Sequence, residues 1–219
     1  MAKKTNNITP RIDPIVLNDL LEGDVEQVYA HETSEGYRFD AADFDGRDLA
    51  GVTFRECEFV AASAHEADLH ASAFVDAVIE RLNAPVLRAA RSRFRDVSID
   101  SSRIGSAEMY DANWQSVHIR NSKLGFVNLR GSSLQDVLFT DCTIDELDLG
   151  DATVNRVAFV DTQVNSLDLT RAKLTNTDLR GLELRKISGL EGLRGATLSE
   201  YQVSELAPLF AVHLGIVVA

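Results

Sequence analysis

Histidines, carboxylates and cysteines are the residues that could do chemistry in this chain, and their spacing decides whether they do. "HEADLH" sets His65 and His70 five residues apart. A zinc-binding H-E-x-x-H helix needs the second histidine one residue earlier to share a face. "DFDGRD", starting at Asp43, has the opening of a calcium loop but lacks the distal Glu. The two cysteines, Cys57 and Cys142, are too few for a zinc site or a disulfide framework. No Ser-His-Asp spacing can be argued. The reading is no catalytic residue, no metal, no cofactor and no enzyme.

What remains is charge. Acids outnumber bases 34 to 22, for a net charge of −12. Such a chain is repelled by nucleic acid and attracted to basic surfaces, so no direct nucleic-acid binding is expected. The acids are placed regularly. Stepping by 20 gives Asp48, Asp68, Arg88, Glu108, Asn128, Asp148 and Asp168. A block of five arginines (Arg81, Arg88, Arg91, Arg93, Arg95) interrupts the acidic stretches. A step of 20 matters only if the backbone returns to the same place every 20 residues.

The hydrophobic pattern says that the chain coils. "DLTRAKLTNTDLRGLEL" repeats leucine every fifth residue, at Leu169, Leu174, Leu179 and Leu184. Neither a helix nor a flat strand buries one face at that period. The frame runs unbroken back to Phe39, and large apolar residues fill 27 of its 30 positions, the exceptions being Ala64, Ala84 and Ala89. Two residues earlier runs a second column of Ala, Ser, Cys, Val and Thr. Each unit therefore turns one large and one small side chain inward. A chain that bends every five residues coils on itself, and successive coils stack at about 4.8 Å.

The units "ADLHA", "VNLRG" and "TDLRG" resemble the pentapeptide-repeat family. The resemblance implies an all-β fold: a right-handed quadrilateral β-helix over residues 37–186, four units per coil. Residues 20 apart then stack, as Phe54, Phe74, Phe94 and Trp114 in one file and Phe59, Ile79, Ile99 and Ile119 in another. Trp114 is expected in the core. Cys57 and Cys142 fall on different faces about 20 Å apart, beyond the roughly 7 Å a disulfide allows, so two buried reduced thiols are expected. Leu82 and Leu87 occupy small-column positions beside Ala84 and Ala89, with Pro85 between, so an irregularity is expected near 82–90. Arg47 breaks the small column and is expected to reach out of the open end.

Both ends need caps. Residues 1–36 lack the frame; a short helix after Pro14, ending near Gly23, is expected to cap the first coil, behind a flexible start before about residue 10. Residues 187–219 read as a connector, a helix opened by a Thr197/Glu200 capping box, and a short "IVVA" strand. Pro208 is expected to bend or split that helix and Gly215 to stop it. "YQ" at Tyr201-Gln202 followed by "LGIVV" at Leu214 to Val218 resembles the fluoroquinolone-resistance (Qnr) and mycobacterial MfpA branches of the family. There the helix joins two subunits end to end. The resemblance thus implies a homodimer through Tyr201, Val203, Leu206, Phe210 and Leu214.

It also implies a function. About 36 Å of acidic rod per subunit would mimic DNA and occupy the basic saddle of DNA gyrase or a related type II topoisomerase, with Asp48, Asp68, Glu108, Asp148 and Asp168 as contacts. The alternative is a scaffold for an unrelated protein, using outward apolar residues Val60, Val75, Tyr110, Phe126, Leu138 and Val160. With no membrane-length apolar run and no apolar h-region after the basic start, a cytoplasmic location and no membrane contact are expected.

Overall fold

The bend every five residues has a specific backbone origin. Ala41, Gly46, Gly51, Glu56, Ala61, Glu66 and Ala71 all have φ between +48° and +66°. A left-handed residue ends an extended run and turns the chain. For a non-glycine it costs about 1–2 kcal/mol, offset here by ladder hydrogen bonds on both sides. Asp and Asn, which tolerate this conformation best, take many corners: Asp76, Asp96, Asp111, Asn121, Asp136, Asp141, Asp151, Asp161 and Asn176.

A computed structural model, which describes residues 9–217, shows a parallel-strand β-solenoid. Every strand pair is parallel, in one sheet of 13 strands and another of six. The register is 20 through the body of the rod. Phe54, Phe74, Phe94, Trp114, Leu134, Val154 and Leu174 pair in succession. So do Phe59, Ile79, Ile99, Ile119, Phe139 and Phe159. Both files are buried. Ring centroids in the first lie 5.2, 5.0 and 5.5 Å apart from Phe54 to Trp114. Trp114 is core, as expected, although its indole N–H has no partner. Cys57 and Cys142 are buried and free; burial pushes both thiols up.

The irregularity near 82–90 is a change of corner. In the first coils this corner is left-handed, at Gly46 and Glu66; from Val86 onward its equivalents are not. The extended runs Asn83–Arg88, Arg103–Glu108 and Lys123–Asn128 pass through it and build the smaller sheet. Neighbouring backbones close up beside it. A Cβ on Gly125 would stand 2.0 Å from the Gly105 carbonyl, and one on Gly105 would stand 2.4 Å from that of Pro85. Ala84, Leu87 and Ala89 are all buried, so the exchange of volume between the columns holds.

The N-terminal helix is not there. Residues 11–20 form neither helix nor strand, with Asp19 left-handed at φ 53°. They run along the outside of the rod instead of across its end. The cap is a 3-10 turn at Val25–Gln27, opened by Asp24. Arg47 reaches it as expected, donating to the Glu26 carboxylate at 3.0 Å and the Val28 carbonyl at 3.3 Å. The expected flexible start falls mostly on residues 1–8, outside the described residues.

At the other end the capping box belongs to Ser199 and Gln202, not Thr197 and Glu200. Thr197 is held in a strand bridge to Asp178, which leaves Ser199 as the first residue free to cap. The helix, α1 (Glu200–His213), runs through Pro208 without splitting. Gly215, at φ 71°, stops it as expected: the Gly215 and Ile216 N–H groups close on the Val212 and Ala211 carbonyls. Ile216 and Val217 form no strand; Val218 and Ala219 lie outside the described residues. Among the described residues, no helix is long and apolar enough to cross a membrane.

Candidate functional site

The 20-residue register turns the spaced acids into a physical file. Asp48 bridges Asp68, and Asp68 bridges Arg88. Arg88 pairs with Glu108, Glu108 with Asn128, Asn128 with Asp148, and Asp148 with Asp168. All seven lie along one edge.

These side chains also have a local duty. Asp48 accepts from the Ala50 N–H at 3.1 Å, Asp68 from His70 at 2.9 Å, and Asp148 from Gly150 at 2.8 Å. Asp168 accepts from both the N–H and the hydroxyl of Thr170. Each is an Asx turn, in which the side chain satisfies a backbone donor at the approach to a corner. Asn128 makes the same bond to Arg130 at 3.1 Å, so the turn needs an oxygen and not a charge. The sequence pattern did not separate these roles, because Asp serves both.

Arg130 partly neutralises the upper file. Its guanidinium bonds Asp148 at 2.9 Å and reaches Asp151 at 3.2 Å and Asp168 at 3.4 Å. Burial alone would push the Asp168 carboxyl up, but the Thr170 donors and Arg130 hold it below its ordinary value. Arg171 closes on Asp151 at 2.6 Å and does the same there. The lower file is the more open: Asp48, Asp68 and Glu108 are exposed, whereas Asp148 and Asp168 are half-buried. The arginine block is partly compensated: Arg81 meets Glu80, Arg88 meets Glu66, and Arg95 lies near Asp76 and Asp96.

The helix residues divide. Tyr201, Val203 and Leu214 are exposed, at 73%, 46% and 70%. Leu206 and Phe210 are half-buried, and Leu206 lines a crevice against Leu182, Leu184 and Leu198 of the last coil. Gln202 ties the helix down, its amide donating to the Leu179 and Leu182 carbonyls at 2.7 and 2.9 Å. At 3.6 residues per turn Val203, Leu206, Phe210 and Leu214 fall on one side of the helix and Tyr201 on the opposite one. Leu209 and Val212 are exposed beside them. Of the outward apolar residues, Val60 and Val75 are in fact buried, while Tyr110 and Val160 are 38% and 43% exposed. Phe126 and Leu138 are half-buried. Among the described residues no group of three or more metal-binding side chains is assembled.

No curated protein sequence matches the chain. Among solved structures, a trypsin-treated variant of QnrB1, a plasmid-mediated fluoroquinolone resistance protein, shares 20% identity over 90% of this chain and 96% of its own, with a TM-score of 0.38. Full-length QnrB1 shares 14% over 83% and 98%, at 0.34. HetL, a pentapeptide repeat protein involved in heterocyst differentiation regulation from the cyanobacterium Nostoc, shares 14% over 78% and 91%, at 0.20. Two family models match directly: "Pentapeptide repeats (8 copies)" over residues 38–73 and "Pentapeptide repeat region" over 112–188. Five-residue units wound four to a coil, matched by models of that repeat in both halves of the rod, place the chain in the pentapeptide-repeat family.

Proposed function

We propose that the chain is a DNA mimic that binds DNA gyrase or a related type II topoisomerase and modulates it or protects it from inhibitors. The observation that carries this is the acidic file, with Asp48 on Asp68 and Asp148 on Asp168 in direct register. In each of these two pairs the carboxylates stand one strand spacing apart, about 4.8 Å, on a chain of net charge −12, with Arg88, Glu108 and Asn128 between the pairs. Duplex DNA carries a charge every 1.7 Å or so, and a basic groove built for it is attracted to such an edge. The sequence resemblance of Tyr201-Gln202 and Leu214 to Val218 to the Qnr and MfpA ending supports the target and an end-to-end homodimer. In this reading the exposed Tyr201, Val203, Leu209, Val212 and Leu214 meet a second copy. The chain acts by binding, in the cytoplasm, without catalysis, cofactor or direct contact with nucleic acid.

The test is gyrase supercoiling and cleavage with and without ciprofloxacin. The proposal expects the purified protein to shift cleavage at micromolar concentration, with an effect that fades as salt rises. No effect would leave the second reading, a scaffold for another protein, which the exposed Tyr110 and Val160 favour.

A further inference from the structure

The segment of residues 11–20 has a use that neither the repeat nor the acidic file explains. It lies across the stacked strands instead of alongside them. At one end the Arg11 N–H donates to the Asp136 carboxylate at 3.0 Å, and at the other Leu21 pairs with Tyr37. That crosses about five coils, roughly 24 Å, within the 33 Å or so that ten extended residues can span. A chain perpendicular to strands cannot join their ladder. Among the described residues, Ile12 to Leu20 make no backbone–backbone hydrogen bond. Side chains do the holding. Ile12, Ile15, Leu17 and Leu20 are half-buried, while Asp13, Pro14, Val16, Asn18 and Asp19 are exposed. Beneath runs an outward file of Val78, Ser98, His118 and Leu138, each half-buried.

The fit is incomplete. A crevice of about 640 Å³ remains between the segment and the coils, lined by Val78, His118 and Leu138 with Glu58, Glu80 and Arg120. The charge is wrong as well. Asp13 lines a second crevice of about 510 Å³ with Glu56, Asp76 and Asp96. Among the described residues only Arg95, 4.0 Å from Asp76 and 3.5 Å from Asp96, offsets these acids.

We propose that residues 11–20 are a releasable strap over a peptide-binding face, and that its true occupant is an extended segment of a protein partner with apolar residues at the strap's spacing and a basic residue in place of Asp13. The strap itself displays the apolar spacing that the face accepts. Four acids (Asp13, Glu56, Asp76 and Asp96), met among the described residues by one arginine, supply the preference for a cation, and the unfilled crevice leaves room for larger side chains.

The test uses the full-length chain and two synthetic peptides of residues 9–22, one native and one carrying Asp13→Lys. The double variant Ile15→Asp/Leu17→Asp changes only the strap. It should cleave about tenfold faster with trypsin after Arg11 and bind either peptide about tenfold more tightly than wild type, because the tethered competitor is gone. Amide NMR shifts should fall on His118 and Leu138. The Asp13→Lys peptide should bind several-fold tighter than the native one at low salt, and that advantage should shrink at about 0.5 M salt. Unchanged cleavage, no shifts on this face, equal binding to variant and wild type, or no gain from lysine would each overturn the proposal.

Discussion

Replacing Asp48 and Asp68 together separates charge from turn in the acidic file. Each caps a backbone N–H two residues on, at 3.1 and 2.9 Å, and neither is in an ion pair among the described residues. Asparagine keeps the capping oxygen, as Asn128 shows in the same file; alanine removes it. The Asp48→Ala/Asp68→Ala pair loses two caps at about 0.5–1.5 kcal/mol each, so it should lose about 1–3 kcal/mol. The Asp48→Asn/Asp68→Asn pair loses the repulsion between the two carboxylates, along with the attraction of Asp68 to Arg88 beside it in the file. Two charges about 5 Å apart repel by roughly 0.8 kcal/mol in a water-like medium, and salt reduces this. The asparagine pair should therefore match wild type or exceed it by a few tenths of a kcal/mol at low salt. Urea melts followed by circular dichroism read both values. In the gyrase assay the order reverses the usual link between stability and activity: the asparagine pair should be fully folded yet weaker. If asparagine and alanine destabilise alike, the capping argument is wrong. If the asparagine pair acts like wild type on gyrase, the lower file is not the contact.

Acid should weaken the rod through its paired carboxylates. Burial pushes the Asp136 carboxyl up, but Arg156 at 2.6 Å and the Arg11 N–H more than offset this and hold it below 3.8. A depressed folded value means the stabilisation is full above the unfolded value near 4 and is lost as pH falls through the folded one. Urea midpoints should drop between pH 5 and pH 3, and Asp136→Asn should be less stable at pH 7 and flatter with pH. In the core, Phe94→Ala should cost about 3–5 kcal/mol, whereas Trp114→Phe should cost far less, because the smaller ring also removes a buried N–H that has no partner; chemical denaturation of both compares them directly. For the dimer, sedimentation should give twice 24.1 kDa, and Leu209→Asp/Val212→Asp should halve it without disturbing Leu206 or Gln202, which hold the helix to its own coil; a monomeric wild type would remove the proposed end-to-end contact.

The body of the rod was legible because one periodicity set everything else. Large residues at every fifth position require the corner; four units per coil, which the family resemblance implies, then gives the register of 20, the aromatic file and the isolation of Cys57 from Cys142. The ends were less legible because no repeat governs them. "DPIVLNDLL" spaces its apolar residues in a way a helix also accepts, and the chain after Pro14 reads as a helix start; what holds it along the rod is the outward file of Val78, Ser98, His118 and Leu138, a tertiary partner that local pattern does not reveal. The capping box shifted for a similar reason, since Thr197 was claimed by Asp178 across the coil. In the acidic file the sequence located every residue, but it could not show that the Asp side chains were holding corners, nor that Arg130 sat among three of them. Val60 and Val75 were misplaced because the five-residue frame turns them outward, whereas both are buried in the fold.

The 20-residue register makes the molecule a thread wound on no spool. The backbone of each winding stacks only on the one before and the one after it, so cutting out a whole turn of the thread beyond the reach of the N-terminal segment, which ends on Asp136, would bring like against like and leave a shorter rod of the same cross-section. Length is thus adjustable there in whole turns. Lengthening or shortening by anything other than a full turn would rotate every later side chain to a different wall, and the acidic edge would break in two at the splice.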